Sequence, residues 1–309
     1  MLDFFKKLIG GSQKPAVSKV EQATKPLKQG IETAPLSDEQ FQTVAKVQVV
    51  MKPSQMLVGT GTTVGRQRDH NEDTIIALNG IFADGNKDTP FGIFVVADGM
   101  GGYEFGEIAS SVAARTLCEY LMGKLYGPIF GATNQVLEDS ILEVMEDAVK
   151  LANRAVLSSA PGAGTTLTAA LMVGDQITIA HVGDSRGYFL FPDGRIQQLT
   201  QDHSLVQRLQ DLGQITRDEA AVHPQRNVLY RALGQSEPFR PDINTFQLPH
   251  PGNLLLASDG LWGTVSDMDI FRIVNSSKNP SIACHELCEA ADAAGGPDNS
   301  SVILVEFLS

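Results

Sequence analysis

Packed sheets flanked by helices, an α+β arrangement within the broad α/β class, are what this sequence predicts. Two observations carry that expectation. Short apolar runs bounded by glycine recur, as in FGIFVVADG (91–99), ITIAHVGDS (177–185) and NLLLASDG (253–260), and each reads as a buried strand. The strand-like segments also come in successive groups with long helical stretches between them, which disfavours a regularly alternating parallel sheet.

From Met56 onward, strands are predicted over 56–60, 73–78 and 91–97, and helices over 104–123 and 136–158. Gly101 and Gly102 suit a tight strand-to-helix turn, with Glu104 and Glu107 placed to favour the positive end of the next helix. A block of strands follows at 165–199, then a helix at 205–212, a short one at 216–221, and a turn or strand at 226–234. Strands at 242–247 and 253–257 precede helices at 266–274 and 280–293. The last strand is SVILVEFL (301–308), and no internal repeat of fixed period is visible.

Residues 1–55 stand apart. Lys, Gln, Pro, Ser and Thr dominate from Gly10 to Ser37, the composition of a flexible, basic extension. Only MLDFFKKLI at the start gathers Leu2, Phe5, Leu8 and Ile9 on one helical face. About ten residues make a marginal helix alone, so a mobile tail is favoured over a membrane or partner contact. The domain boundary is therefore placed at 55/56, with one domain over 56–309.

Over 309 residues the net charge is −12, and the first 30 residues, with six lysines and two acids, leave −16 on the remainder. That acidity argues against nucleic acid as a partner. Cys118, Cys284 and Cys288 form an odd set with no matching His/Cys group, and read as reduced core thiols. With no signal peptide and no apolar run of about 18 residues or more, a reducing cytoplasm is the expected location.

Asp98, Asp184 and Asp259 each close an apolar run, and Asp298 precedes the final strand, so the sheets deliver carboxylates to their rims. Gathered without a basic partner, such carboxylates repel one another unless hard cations such as Mg²⁺ or Mn²⁺ hold them. Metal-assisted phosphate chemistry is the leading inference.

Set side by side, R-D-H-N-E-D (68–73), V-V-A-D-G-M-G-G (95–102), G-T-T (164–166), H-V-G-D-S-R (181–186), A-S-D-G-L-W (257–262) and G-P-D-N-S (296–300) resemble the metal-dependent type-2C (PPM) Ser/Thr protein phosphatases. H-P-Q-R-N-V-L-Y-R-A-L-G (223–234) looks bacterial, and the resemblance covers about 56–309. It implies an α-β-β-α sandwich of two mainly antiparallel sheets, a Mg²⁺- or Mn²⁺-dependent hydrolase in signal transduction, and phosphoprotein substrates set against Ser/Thr kinases.

Carried over residue by residue, the resemblance makes Asp98 a bridge between two ions. Asp259 and Asp298 complete one ion, the Gly99 carbonyl serves the other, and Asp73 supports that second ion, through water. Two ions about 4 Å apart make a shared hydroxide available at neutral pH for in-line attack. Arg68 holds the phosphate, since its fork of donors matches phosphate oxygens. Asp184, with Asp259, serves a weaker third ion beside a flap corresponding to 203–234. One departure matters. Some relatives carry a histidine after the metal-binding Asp-Gly to protonate the leaving oxygen, and here that residue is Met100, which has no proton to give. The proton then comes from metal-bound water, or metal stabilisation suffices.

Each of these residues also has a blander reading. Asp beside Gly also forms turns and caps, Gly-Asp-Ser at 183–185 also makes an ordinary hairpin turn, and Arg68 also makes a surface ion pair. His70, His181 and His203 invite a general-acid role, yet His181 lies in an apolar strand and reads as core. Thr165 and Thr166 read as strand formers, and Trp262 as packing under the site. A phosphatase for small phosphorylated molecules and a catalytically silent binding domain remain as alternatives, the latter disfavoured because every expected carboxylate is present.

Overall fold

The computed structural model describes residues 56–83, 88–101, 104–131, 137–236 and 239–308. The expectations for residues 1–55 lie outside these. One antiparallel sheet is built from β1 (Met56–Thr63), β11 (Ser300–Phe307), β10 (Gly252–Ala257), β7 (Arg186–Leu190) and β8 (Ile196–Gln198), in that order. The other runs β2 (Asp73–Ala83), β3 (Asp88–Met100), β5 (Leu167–Val173), β6 (Gln176–Val182) and β9 (Asp242–Gln247), also antiparallel. The two-residue strand β4 (Gly164–Thr165) pairs with the end of β3.

The sheets pack face to face. Phe94, Val96, Met172, Ile177 and Ile179 from one sheet meet Phe189, Leu254, Leu256, Ile303 and Val305 from the other. Helices cover both outer faces. α1 (Glu104–Phe130) lies on β2 and β3, with α2 (Ile141–Ser159) beside it on β6 and β9. On the other side, α5 (Asp259–Trp262), α6 (Asp267–Ser276) and α7 (Pro280–Ala293) bury Leu261, Ile270, Cys284 and Leu287 against Leu255, Val302 and Leu304. This is the α-β-β-α sandwich expected.

The layering explains why the strands read as unbroken apolar runs. On β3, Phe94 and Val96 face the partner sheet while Ile93 and Val95 on the opposite face are just as buried. Strands covered on both faces lose the apolar–polar alternation of a half-wet sheet. Each such side chain contributes about 1.5–3 kcal/mol by burial. The helix predicted to stop at 123 continues to Phe130, because Leu125 and Ile129 extend its buried stripe.

The three cysteines are free and buried, as expected of core thiols, and burial pushes each thiol up to about 12. Among the described residues no helix is long and apolar enough to cross a membrane. α3 (Leu205–Asp211) and α4 (Arg217–Ala221) lie in the flap segment, and 226–234 forms turns with isolated bridges rather than a strand.

Candidate metal and phosphate site

Strand register puts the first two carboxylates together. Asp73 begins β2 directly opposite Asp98 on β3, so their side chains share one face of the ladder. Asp98 lies inside its strand rather than after it, since β3 runs on to pair Gly99 with Thr165. Both glycines of the Asp-Gly pairs permit close backbone approach. A Cβ at Gly99 would stand 2.2 Å from the Gly106 carbonyl oxygen, and one at Gly260 would stand 2.0 Å from that of Asn299.

Asp259 opens α5, and Asp298 sits two residues before β11. Asp184 follows the end of β6, where the sequence expectation put it. β6 and β7 belong to different sheets, so Gly183–Ser185 carries the chain across the sandwich instead of turning a hairpin. Its carboxylate is buried at that crossing.

Asp98, Gly99, Asp184, Asp259 and Asp298 line a cavity of about 480 Å³ with Arg68 and His70, and Asp73 lies behind Asp98. Burial drives the acids toward the neutral form, and their mutual repulsion adds to it. Asp98 is held well above the usual carboxylate range by burial, then by Asp73, Asp259, Asp184 and Asp298. Burial, then Asp184, Asp298 and Asp73, does the same to Asp259. Asp73 is raised to about 6, chiefly by burial, with the nearby hydroxyls of Ser301 and Ser258 opposing. Asp184 rises to about 7 by burial and Asp202, against Arg186.

The expectation of carboxylates without a basic partner needs correction. The Arg68 guanidinium donates to Asp298 Oδ2 at 2.7 Å, across 230 positions of sequence. Ser258 Oγ likewise donates to Asp73 Oδ2 at 2.8 Å. Among the described residues, no three His, Cys, Asp or Glu side chains form a finished coordination shell. Like charges favour that spread, and a hard divalent cation is what reverses it. The donors fit such a cation. All are oxygens, and Asp73 Oδ1 and Asp259 Oδ1 are buried with no hydrogen-bond partner.

Residues 58–300 match the protein phosphatase 2C family. The chain belongs to that family. The serine/threonine phosphatase stp of Listeria innocua is 38% identical over 247 residues, 79% of this chain and 93% of that protein. The crystal structure of the Mycobacterium tuberculosis serine/threonine phosphatase PstP/Ppp superposes with a TM-score of 0.69 at 31% identity, covering 82% of this chain and 99% of that one. A PstP catalytic domain in complex with two manganese ions aligns at a TM-score of 0.66 and 29% identity, over 82% of this chain and all of that one.

Within this protein phosphatase 2C domain, a polar frame holds the acids. Thr166 Oγ1 accepts from the Asp98 amide at 3.0 Å, and Thr165 Oγ1 donates to the Asp98 carbonyl at 2.9 Å. The threonines are structural, as the sequence reading held, and their work is to fix Asp98. Asn299 belongs to the same frame: its side-chain amide donates to the Val64 and His70 carbonyls and its Oδ1 accepts from the Glu72 amide. Its only signal in the sequence is its place beside Asp298.

His181 and His203 stay out of the cavity. Their rings lie 4.9 Å apart in the core, and burial, then His203, lowers His181 to about 3. The Gly183 amide donates to His203 Nδ1, leaving Nε2 as the N–H facing Asp242. Trp262 does pack at the site's edge, where the Arg186 guanidinium stacks 3.5 Å over its ring and pairs with Asp202.

Proposed function

We infer that the aspartate cavity is where this chain, a metal-dependent serine/threonine protein phosphatase of the 2C family, removes phosphate from its substrates. The observation that carries the assignment is convergence. Asp98, Asp184, Asp259 and Asp298, from separate elements, line one cavity, Asp73 stands opposite Asp98 in the strand ladder, and a single guanidinium lies at the rim. In this reading Asp98 bridges two Mg²⁺ or Mn²⁺ ions, Asp259 and Asp298 complete one shell, and the Gly99 carbonyl and Asp73 serve the other. Asp184, with Asp259, accommodates a third. When bound, the ions supply an acidified water as nucleophile and charge to neutralise the phosphate.

Arg68 releases Asp298 to grip two phosphate oxygens, an exchange helped by its half-exposed position. Asn299 and Thr166 keep the acids aligned. A second space of about 720 Å³ shares Arg68, Asn227, Asp259 and Asp298 with the cavity and runs between Trp262 and the flap residues Gln207, Arg217 and Arg226. It offers room for polypeptide flanking the phosphorylated residue, which favours protein over small-molecule substrates. The reading extends to signalling opposite Ser/Thr kinases in a reducing cytoplasm, where the three free thiols persist.

The test is Mn²⁺-dependent phosphate release from a phosphothreonine peptide and from p-nitrophenyl phosphate, using intact protein, EDTA-treated protein and Asp98→Asn. Turnover of both substrates that needs metal and Asp98 is expected. Activity on the small ester alone would overturn the protein-substrate reading.

A further inference from the structure

A departing serine or threonine oxygen leaves as a strongly basic alkoxide unless it is protonated as the P–O bond breaks, and most of the cavity is poorly equipped to do this. Met100 has no acidic proton and Arg68 does not give one up. His70 is the one imidazole among the described residues that line the cavity.

His70 is also held like a catalytic base–acid pair. Its Nε2 lies 3.1 Å from Glu72 Oε1, which fixes Nε2 as the N–H donor and leaves Nδ1 as the second site for a proton. The two residues are fastened to the site's frame. Asn299 donates to the His70 carbonyl at 2.9 Å and accepts from the Glu72 amide at 2.9 Å, while Ser110 Oγ donates to the Glu72 carbonyl at 2.6 Å. Glu72 is largely covered, at 14% side-chain exposure, whereas the imidazole is 47% exposed and can refill its proton from water.

We propose that His70, oriented by Glu72, is the general acid that protonates the leaving serine or threonine oxygen. The inference rests on the phosphatase reading of this cavity. As the P–O bond breaks, its electron pair goes to the substrate oxygen, which takes the Nδ1 proton of the imidazolium. The entering water forms the new P–O bond, keeping one proton on the phosphate and releasing the other to solvent, from which the imidazole regains its own. Glu72 stabilises the imidazolium and sets the ring's direction, so it is a positioning residue.

The test compares His70→Gln with wild type in Mn²⁺ on a phosphothreonine peptide, phenyl phosphate and p-nitrophenyl phosphate, with Mn²⁺ affinity measured by calorimetry. The expected loss in kcat is about 10²- to 10³-fold on the peptide, smaller on phenyl phosphate, and about tenfold or less on p-nitrophenyl phosphate, whose anion leaves without a proton. Glu72→Gln follows the same order with smaller losses, and Mn²⁺ affinity holds within about twofold in His70→Gln. Equal losses on all three esters, no loss on the peptide, or activity lost in proportion to Mn²⁺ affinity would each overturn the proposal. If wild type itself leaves the peptide untouched, the protein-phosphatase reading falls as well; if wild type is active and His70→Gln matches it, the His70 assignment alone fails.

Discussion

The aspartate cavity and the flap share a border but are built by opposite means. Strand register sets Asp73 against Asp98, and the frame of Thr166, Ser258 and Asn299 that holds the site is buried and hydrogen-bonded. The flap is tied to the sheets near its two ends, by the His203 amide to the Gly183 carbonyl, by the His203 and Arg231 side chains to Asp242, and by the reciprocal backbone pair of Leu233 and Thr165, while bonds such as the Leu205 amide to the Val228 carbonyl stay within it. It leaves Leu212 and Val222 mostly in water. Chemistry that must not drift is placed on the sheets, and surface that must suit varied polypeptides is placed where local stability is low.

Substitutions can break or sharpen that contrast. The largest effect belongs to the cavity. Asp98→Asn should lower phosphate release by about a thousand-fold or more on every substrate, since it removes the carboxylate proposed to bridge both ions. In EDTA the same variant should melt a few degrees higher, because one source of buried repulsion is gone. Calorimetry checks the sign, and a lower melting temperature would contradict the crowding argument.

Next comes the seam between flap and sheet. Arg186 makes a bidentate pair with Asp202 in which both side chains are largely buried. Asp202→Ala should cost about 3–5 kcal/mol in urea unfolding by stranding the guanidinium. A cost near that of a surface pair would mean that the seam is looser than its geometry.

The core histidines contribute a smaller, pH-dependent effect. His181 is lowered from 6.5 to about 3 in the fold, so between those values the unfolded chain binds the extra proton and stability falls as pH drops. The slope is up to about 1.4 kcal/mol per pH unit below 6.5. His181→Asn should flatten that limb of a stability–pH curve.

The smallest effect is predicted in the flap. Arg226→Ala, in the groove beyond the cavity, should raise KM for a phosphothreonine peptide severalfold and alter p-nitrophenyl phosphate hydrolysis less. Equal effects on both substrates would place Arg226 with the chemistry instead.

The same contrast governs what could be read from residues alone. Strands covered on both faces announce themselves as apolar runs, so the position of Asp98 and Asp259 beside their glycines was visible at once. Contacts set by tertiary packing were not. Arg68 meets Asp298 across 230 positions, and no local pattern records that pairing. Gly183–Ser185 looks like a hairpin because the residues of a tight turn also suit a crossing between sheets. The four-residue helix at Asp259–Trp262 is too short to show a period, and 226–234 has no repeat to reveal because its backbone bonds mix local turns with isolated bridges to distant partners.

The position of β11 has a consequence for synthesis. It lies between β1 and β10, and Asn299 at its entry bonds to Val64, 235 positions earlier. A nascent chain therefore exposes an unfinished sheet, and lacks Asp298, until this segment has cleared the ribosome. A chain cut before Asp298 leaves β1 and β10 without the strand that joins them, and phosphate release from such a fragment should be lost.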